Sequence, residues 1–550
     1  MSGFEPPRGL PDLVSRLVRR DPDRVAVVDG GVGPVSRTDL LRRTVRLVDR
    51  LRAAGIGAGD CVAVWLPNWS DALCWQFAVA SLGGHVIGVN TRYNLTEVAH
   101  VLDTARPSLI AIAHGFRVGE QADLLRAAVE ASSAPPPGIA VVSAPGAPPV
   151  TEAELAEYRA GGASGSMVWA TGAWDTGSGA ESVGPESLDP GDPDSVTVAF
   201  TTSGSTGLPK LAGHSAAGVL AHALADVSAM GLTESDVTLC AIPLAGAYGF
   251  NSAMATLAAG ASLVLVPVFD ADATLDDMER FRVTHLPGGD DLVLRLERAH
   301  RAKPRDLASW RWWGAAEFQG RLRELAEWAK ESFGTLTTGL YGSSEVFALT
   351  TMWPPDEPEP RRHDRGGRLV SPDIEVRVVD PDSGRPLELE QEGELQFRGP
   401  NVVTDYLGNP EAAEKAFTPD GWFSSGDLGF LIPGGGFVHT VRIGDALRLR
   451  GFLVDPAEIE LRLAAHPEVE IAKVVGIEDA DGSARAVGFV VPTAGTEPAP
   501  DTLRDWCATA LAKFKVPEAV HVIEEMPVTS GTNGTKIRAA TLREWARERA

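Results

Sequence analysis

The segment Thr201–Lys210 has the sequence TTSGSTGLPK and lies between two different periodic patterns. The preceding residues, Val196–Phe200, are mostly apolar and predict a buried strand, whereas Ser215–Met230 predicts a helix. Gly204 and Gly207 allow sharp backbone turns that direct successive N–H groups toward an anion. A glycine-rich turn between a strand and a helix therefore indicates a phosphate-binding loop.

The same segment carries hydroxyl groups and one positive charge, both of which stabilise a bound phosphate. The hydroxyl donors are Thr202, Ser203, Ser205 and Thr206. Lys210 supplies the charge, and Pro209 restricts the backbone just before it. The spacing from glycine to lysine differs from that of the GxxxxGK[ST] P-loop. A surface loop is the usual explanation of a glycine- and serine-rich string, but this ordered pattern after an apolar strand favours a phosphate site.

Strand and helix patterns alternate along the first third of the chain. A helix capped by Ser36 precedes a strand pattern at Cys61–Leu66, a helix pattern at Asp71–Leu82 and a strand pattern at His85–Val89. Such alternation predicts α/β layers around a largely parallel sheet. Residues Ala131–Asp194 are rich in Ala, Pro, Gly and Ser, so we expect a poorly ordered surface excursion between two sheets there.

The last hundred or so residues have the pattern of a small α+β unit. We predict helices at Pro456–Ala464 and Thr502–Lys513, and a strand pair at Ile471–Ile477 and Ala484–Val491. The fold class is therefore α/β, with a large multi-layer N-terminal domain of mostly parallel sheets over residues 1–443. A small, mobile α+β C-terminal domain is expected over residues 444–550.

Charge and composition exclude several classes of partner. The formal net charge of −24 at pH 7 repels polyanions, so nucleic acid is not expected to bind. No run of about 18 apolar residues is present and the N-terminus has no apolar signal core, so we expect a cytoplasmic protein without a membrane span. The cysteines are far apart and form no CxxC pair, which favours buried, reduced thiols: Cys61, Cys74, Cys240 and Cys507.

The string TTSGSTGLPK resembles the signature loop of the adenylate-forming superfamily. This superfamily includes acyl-CoA synthetases, adenylation domains of peptide synthetases and firefly luciferase. The resemblance extends over nearly the whole chain, from VWLPNWSDA near the N-terminus to the last loop. It implies that the chain binds ATP, with Thr202, Ser203, Gly204, Ser205, Thr206 and Gly207 around the phosphates.

Two further motifs are similar to those of the family and follow in the same order. In YGSSE, the family pattern implies that Tyr341 stacks on adenine, Ser344 contacts the α-phosphate and Glu345 binds Mg²⁺. In GWFSSGDL, it implies that Asp427 accepts hydrogen bonds from both ribose hydroxyls. Taken alone, each motif would be an ordinary exposed turn, and only their order along the chain favours the functional interpretation.

The remaining motifs belong to the junction of the two domains and to the C-terminus. VRIGDALRLRGF resembles the family's junction, in which Arg442 would contact the ribose or α-phosphate and Gly444 would act as the hinge. Gly451 would border the pantetheine arm of coenzyme A. TSGTNGTKIR resembles the last catalytic motif, with Lys536 as the mobile lysine. A solvated lysine is the ordinary alternative for that position.

The resemblance implies an AMP-forming ligase. Catalysis would depend on Lys536, Lys210 and Glu345, with ATP, Mg²⁺ and a coenzyme A or carrier-protein thiol as partners. A small acyl or aryl acid would attack the α-phosphorus of ATP, and the barrier would fall through positioning and fixed positive charge. The chemistry requires no covalent enzyme intermediate, and we interpret His214 as incidental.

One departure from the family pattern leaves alternatives open. Gly246 stands where many relatives carry a histidine that orders the substrate carboxylate. Some relatives activate nitrite and pass it to an aryl amine, so an AMP-forming diazotase remains an alternative, as does a nucleotide-binding protein without catalysis. The expected walls of the acid pocket, for which ordinary core packing is the alternative, are Phe250, Asn251, Ala315 and Ala316.

Overall fold

A computed structural model describes most of the chain. The described residues are 7–29, 33–116, 120–160, 167–172, 184–202, 209–318, 320–443, 447–449, 452–454, 456–478, 484–511, 513–531 and 534–549. Their helices are α1 (Leu10–Arg20), α2 (Arg37–Ala53), α3 (Ser70–Ser81), α4 (Leu95–Ala105), α5 (Glu120–Ala131), α6 (Glu152–Ala160), α7 (Ala216–Ala229), α8 (Ala247–Ala259), α9 (Ala271–Arg280), α10 (Asp290–Ala302), α11 (Leu322–Phe333), α12 (Pro410–Ala416), α13 (Pro456–Ala464), α14 (Pro500–Ala508) and α15 (Ala539–Glu548).

The strands divide between a larger and a smaller unit. Those of the larger unit are β1 (Val25–Asp29), β2 (Gly33–Ser36), β3 (Cys61–Trp65), β4 (His85–Gly88), β5 (Leu109–His114), β6 (Gly138–Ser143), β7 (Val168–Thr171), β8 (Val196–Thr201), β9 (Leu211–Ser215), β10 (Val237–Cys240), β11 (Ser262–Leu265), β12 (His285–Gly289), β13 (Trp312–Ala316), β14 (Leu336–Tyr341), β15 (Thr351–Met352), β16 (Gly366–Leu369), β17 (Glu375–Val379), β18 (Gly393–Arg398), β19 (Asp405–Tyr406), β20 (Phe423–Leu431) and β21 (Phe437–Arg442). Those of the smaller unit are β22 (Leu447–Leu449), β23 (Phe452–Val454), β24 (Val469–Glu478), β25 (Ala484–Pro492), β26 (Ala519–Val522), β27 (Val528–Gly531) and β28 (Gly534–Ile537).

Two sheets form the larger unit. One has the order β19-β9-β8-β4-β3-β5-β6-β7 and is parallel from β8 to β7. The other has the order β17-β18-β20-β21-β16-β15-β14-β13-β12-β10-β11-β1-β2, and its central strands from β14 to β1 are parallel. The α/β class with mostly parallel sheets is confirmed.

Helices α3 and α8 are mostly apolar and are buried on nearly every side, in the principal core cluster of the larger unit. Helix α2 is amphipathic, and its N-cap is Ser36, whose side chain accepts a hydrogen bond from Asp39 N, as predicted. Ser215 caps α7 in the same way, by accepting from Gly218 N. Helix α7 begins directly after β9 ends. The predicted order of strand, phosphate loop and helix therefore contains one further strand, β9, between the loop and the helix.

The prediction for Ala131–Asp194 was wrong in part. The described residues of this range contain β6, α6 and β7, and both strands extend the parallel sheet beyond β5. The sequence did not reveal β6, because Gly138–Ser143 is a short apolar run between segments rich in proline. The amino-acid composition therefore led to the prediction of a surface excursion where two strands extend the sheet.

The smaller unit has the predicted helix α13 and an antiparallel pair, β24 and β25, within a five-stranded sheet. The predicted helix at Thr502–Lys513 is shorter, since α14 ends at Ala508 and a separate 3₁₀ turn follows at Lys513–Lys515. The boundary at residues 443 and 444 stays a prediction, because Gly444 lies outside the described residues. Among the described helices, none is both long and apolar enough to cross a membrane.

Candidate active site

The two ends of the predicted phosphate loop are held together. The Thr202 backbone N–H donates to the Lys210 carbonyl over 2.9 Å, directly after β8 ends. A ring nitrogen of His100 lies 2.7 Å from the Pro209 carbonyl, and this contact holds the backbone just before Lys210 in place. Five predicted phosphate ligands lie outside the described residues: Ser203, Gly204, Ser205, Thr206 and Gly207. The loop is thus anchored at both ends beside the carboxyl end of a parallel strand, where α/β sheets usually bind ligands.

Lys210 and Glu345 meet through Tyr406, a residue that the sequence did not predict. The Lys210 ammonium lies 4.9 Å from the centre of the Tyr406 ring, a cation–π distance. The Tyr406 hydroxyl donates to Glu345 Oε1 over 3.4 Å, which is a long hydrogen bond. Burial, followed by the Glu345 charge, raises the pKa of Tyr406, so its hydroxyl keeps its proton. Two candidate catalytic groups are therefore neighbours, 135 positions apart in sequence.

Ser344 links the YGSSE segment to the phosphate loop. Its side chain is buried, and its Oγ donates to the Thr201 carbonyl over 3.4 Å. His214 on β9 holds the same residue, because its Nε2 lies 2.7 Å from the Ser344 carbonyl, which can only accept. Burial lowers the pKa of His214 to about 4, so the ring is neutral at pH 7. His214 therefore positions the backbone of Ser344, and the interpretation that it takes no part in the chemistry itself stays a prediction.

Replacement of His214 by glutamine is expected to change how stability depends on pH. The folded protein keeps His214 neutral, whereas the unfolded chain protonates it near its ordinary pKa of 6.5, so this histidine makes stability fall as pH drops from 6.5 to 4. The slope is up to about 1.4 kcal/mol per pH unit. The variant should be less stable at pH 7 by about 1 kcal/mol, and the gap to the wild type should shrink on acidification. Urea denaturation at pH 7 and pH 5 measures both, and a constant gap would contradict the assignment.

Tyr341 and Asp427 form the centre of the candidate nucleoside site. The Tyr341 hydroxyl donates to Asp427 Oδ2 over 2.6 Å, and both side chains are buried. The Tyr341 ring stacks on Phe397 at 5.7 Å and lies 5.3 Å from the ring of His439. Burial lowers the pKa of His439 to about 4, so no positive charge from it competes for the Asp427 carboxylate. The predicted contact of Tyr341 with adenine stays a prediction, but its ring and the carboxylate are fixed relative to each other.

Arg442 lies beside Asp427 on the neighbouring strand. In the antiparallel pair β20–β21, Asp427 is the direct partner of Arg442. The Arg442 charge also acts on the hydroxyls of Tyr341 and Tyr406, whose pKa values it lowers against the larger effect of burial. The Arg442 charge therefore acts on side chains that contact Asp427 and Glu345, and its contact with ribose or the α-phosphate stays a prediction.

The two segments predicted to line the acid pocket are in contact with each other. Gly246 is the N-cap of α8, and Tyr248 on its first turn donates to the Gly314 carbonyl on β13 over 2.8 Å. The predicted wall residues therefore lie on two elements that touch: Phe250 and Asn251 on α8, and Ala315 and Ala316 at the end of β13. Phe250 packs against Phe200 at 5.5 Å and so also belongs to the core, as the alternative interpretation held.

Lys536 lies in β28, the second strand of a hairpin, opposite Thr529 of β27. The smaller unit that carries this hairpin contacts the larger unit near the carboxyl end of β13, where Leu461 lies beside Gly320. An ion pair of 2.8 Å between Arg298 and Glu470 joins the same two units. Gly451 lies outside the described residues, and so does Gly444. The role of Lys536 stays a proposal.

Comparison with known proteins gives a consistent assignment. The AMP-binding enzyme model matches residues 14–407, and the AMP-binding enzyme C-terminal domain model matches residues 458–532. The chain is 31% identical over 536 residues to the 3-[(3aS,4S,7aS)-7a-methyl-1,5-dioxo-octahydro-1H-inden-4-yl]propanoyl:CoA ligase of Mycobacterium tuberculosis, covering 94% of this chain and 96% of the relative. It is 33% identical over 347 residues to a 4-coumarate–CoA ligase of Oryza sativa subsp. japonica, a match that spans 61% of each protein.

A solved structure shares the fold along almost the whole chain. ATP-bound MatB from Rhodopseudomonas palustris has a TM-score of 0.81 and 25% sequence identity, covering 98% of this chain and 99% of that protein. The family models together match both the larger and the smaller unit, and the AMP-binding enzyme model spans the segments 201–210 and 341–345. The chain therefore belongs to the AMP-binding enzyme family.

Proposed function

We propose that the protein activates a small acyl or aryl acid with ATP as an acyl-adenylate and transfers the acyl group to coenzyme A. The main support is the convergence of three distant segments: the loop ends at Thr202 and Lys210, the Ser344–Glu345 segment and Asp427. Relatives named as CoA ligases support the same reaction class. This chain's own substrate and acceptor belong to the proposal.

The charges of the site suit the attack of one anion on another. Lys210 and Arg442 supply positive charge where negative charge develops on the phosphates, and the Asp427 carboxylate accepts hydrogen bonds from a ribose. Glu345 fits a magnesium ligand, since it is partly exposed and its Oε2 accepts no hydrogen bond among the described residues. Bound Mg²⁺ would offset the charge of the leaving pyrophosphate. The remaining catalytic group would be Lys536, which bridges the carboxylate and the α-phosphate.

A second candidate function is an AMP-forming diazotase, which activates nitrite and passes it to an aryl amine. The residue at the N-terminus of α8 is the observation that favours it. Gly246, the N-cap of α8, has no side chain to orient a substrate carboxylate. Its backbone φ of −115° is open to any residue, so the glycine is not required by the turn. A site without that side chain could accept nitrite, which is smaller than a carboxylic acid. Transfer to a carrier-protein thiol is the other variant of the same chemistry.

A pyrophosphate-release screen separates these candidates. Purified protein with ATP and Mg²⁺ is tested on aliphatic and aryl acids with and without coenzyme A, and on nitrite with and without aryl amines. The proposal expects pyrophosphate and AMP from at least one acid, with a thioester only when coenzyme A is present. Release that depends on nitrite and an amine, with every acid inactive, would replace it by the diazotase.

A further inference from the structure

A group of polar side chains is completely buried between α7 and α8. His222 and Asp226 lie one turn apart on α7, and Asn251 and Ser252 are consecutive on α8. Their exposed fractions are 1%, 0%, 0% and 2% in that order. Apart from Tyr248 and Thr256, the rest of α8 is apolar, so this polar cluster interrupts the largest hydrophobic core among the described residues.

The polar cluster satisfies only part of its own hydrogen-bonding capacity. Asn251 Nδ2 donates to Asp226 Oδ2 over 2.6 Å, and His222 Nε2 lies 3.0 Å from the Ala348 carbonyl. Four of its atoms have no hydrogen-bond partner among the residues that the structure describes: Asp226 Oδ1, Asn251 Oδ1, His222 Nδ1 and Ser252 Oγ. A buried polar atom without a partner destabilises the folded state, because it has given up its hydrogen bonds to water. Such groups are usually found where water or a ligand completes them.

The chemistry of the unpartnered atoms can be assigned. The Ala348 carbonyl accepts only, so His222 carries its proton on Nε2 and presents Nδ1 as a bare acceptor. Burial lowers the pKa of His222 to about 4, which keeps the ring neutral. Burial raises the pKa of Asp226 well above its usual range, so this carboxyl is neutral as well. The polar cluster is therefore uncharged, with two bare acceptors, Asn251 Oδ1 and His222 Nδ1.

The polar cluster borders the candidate active site. Ala348, which His222 contacts, comes three residues after Glu345. It lies in the segment Phe347–Leu349, whose φ angles of 57°, 54° and 34° are all left-handed, an unusual conformation for three residues that all carry side chains. Asn251 is one of the predicted walls of the acid pocket, and Tyr248 ties the same helix to β13. The polar cluster thus joins helices α7 and α8 to the segment that follows Glu345.

We infer that the polar cluster is the far end of the acid pocket and selects an acid that carries an amino group. This inference deepens the proposed function and rests on it. An uncharged amino group offers two N–H donors, which match the bare acceptors of Asn251 and His222. A methyl group of similar size would leave all four atoms without partners, and a site built to hydrogen-bond a group rejects the analogue that lacks it.

The test compares matched substrates. Pyrophosphate release is measured with benzoate and with its ortho, meta and para amino and methyl derivatives. At the ring position that reaches the polar cluster, the wild-type kcat/KM should be about tenfold to hundredfold higher for the amino acid than for the methyl acid. Replacing Asn251 by leucine should bring that ratio to about one, because the amide acceptor is lost while the volume is kept.

Thr256→Val is the matched control, since Thr256 is buried on the same helix and its hydroxyl bonds Thr238 and the Ser252 carbonyl. It should keep the wild-type ratio. If Asn251→Leu does not fold, His222→Phe removes the other bare acceptor, Nδ1, and should also lower the ratio. Equal rates for amino and methyl acids at every position, or a ratio that survives both variants, would overturn the inference alone. Absence of pyrophosphate with every acid would overturn the proposed function too.

Discussion

Replacing Lys536 with alanine is expected to reduce adenylate formation by at least about a hundredfold, the usual effect of removing one group that stabilises transition-state charge. ATP affinity should change little, because the described candidate contacts to the nucleotide, among them Lys210, Ser344 and Asp427, all lie in the larger unit. The measurements are ATP–pyrophosphate exchange with the best acid of the screen and calorimetric titration of ATP. The separation of rate from affinity identifies a group that acts only while the two reactants combine.

Lys473→Ala provides the matched control for this prediction. Lys473 is also in the smaller unit, and its Nζ forms a 2.8 Å ion pair with Glu460. Its loss removes the same charge from the same unit, so a fall in exchange rate there would indicate a general charge effect. Exchange by the Lys536 variant at the wild-type rate would remove this lysine from the mechanism.

Replacing Glu345 with glutamine is expected to lower kcat for adenylation by about 10²–10³-fold, since a fixed charge that positions the metal is lost. The change keeps the size of the side chain and its ability to accept a hydrogen bond from Tyr406. Higher Mg²⁺ concentration should restore part of the rate, because the metal then binds through the phosphates of ATP alone. Exchange kinetics at several Mg²⁺ concentrations measure both effects.

Tyr406→Phe controls for damage to the neighbourhood of Glu345. The Tyr406–Glu345 hydrogen bond is 3.4 Å long, and the ring that faces the Lys210 ammonium is kept in phenylalanine. We expect a change in kcat of less than about fivefold, because a long, partly exposed hydrogen bond contributes little net energy. A large loss in this variant together with unchanged activity in Glu345→Gln would assign the role to the tyrosine instead.

The regular parts of the fold could be predicted from local patterns. The strand at Cys61–Trp65 is a short apolar run, and Ser36 precedes an amphipathic helix, so sequence and structure agree to within a residue there. Sheet order could not be predicted, because it depends on contacts between distant strands such as β4 and β8. The last two strands of the parallel sheet, β6 and β7, were missed because the sequence around them is rich in proline and glycine.

The motif residues of the candidate site could be found by their order along the chain, but their partners could not. Tyr406 belongs to a two-residue strand and carries no motif of its own. The residues next to His214 and His439 in sequence match no motif. The role of each histidine is visible only in its contact with a distant residue, Ser344 for His214 and Tyr341 for His439. One signal could have indicated them: each histidine lies in an apolar strand that follows a strand carrying, or leading into, a motif.

The most direct test of the central claim follows oxygen from the acid into AMP. The best acid of the screen is prepared with both carboxylate oxygens as oxygen-18 and is incubated with ATP, Mg²⁺ and coenzyme A. If the carboxylate attacks the α-phosphorus and the thiol then attacks the acyl carbon, mass spectrometry will find one labelled oxygen in each AMP. Unlabelled AMP, or ADP as the nucleotide product, would contradict the account.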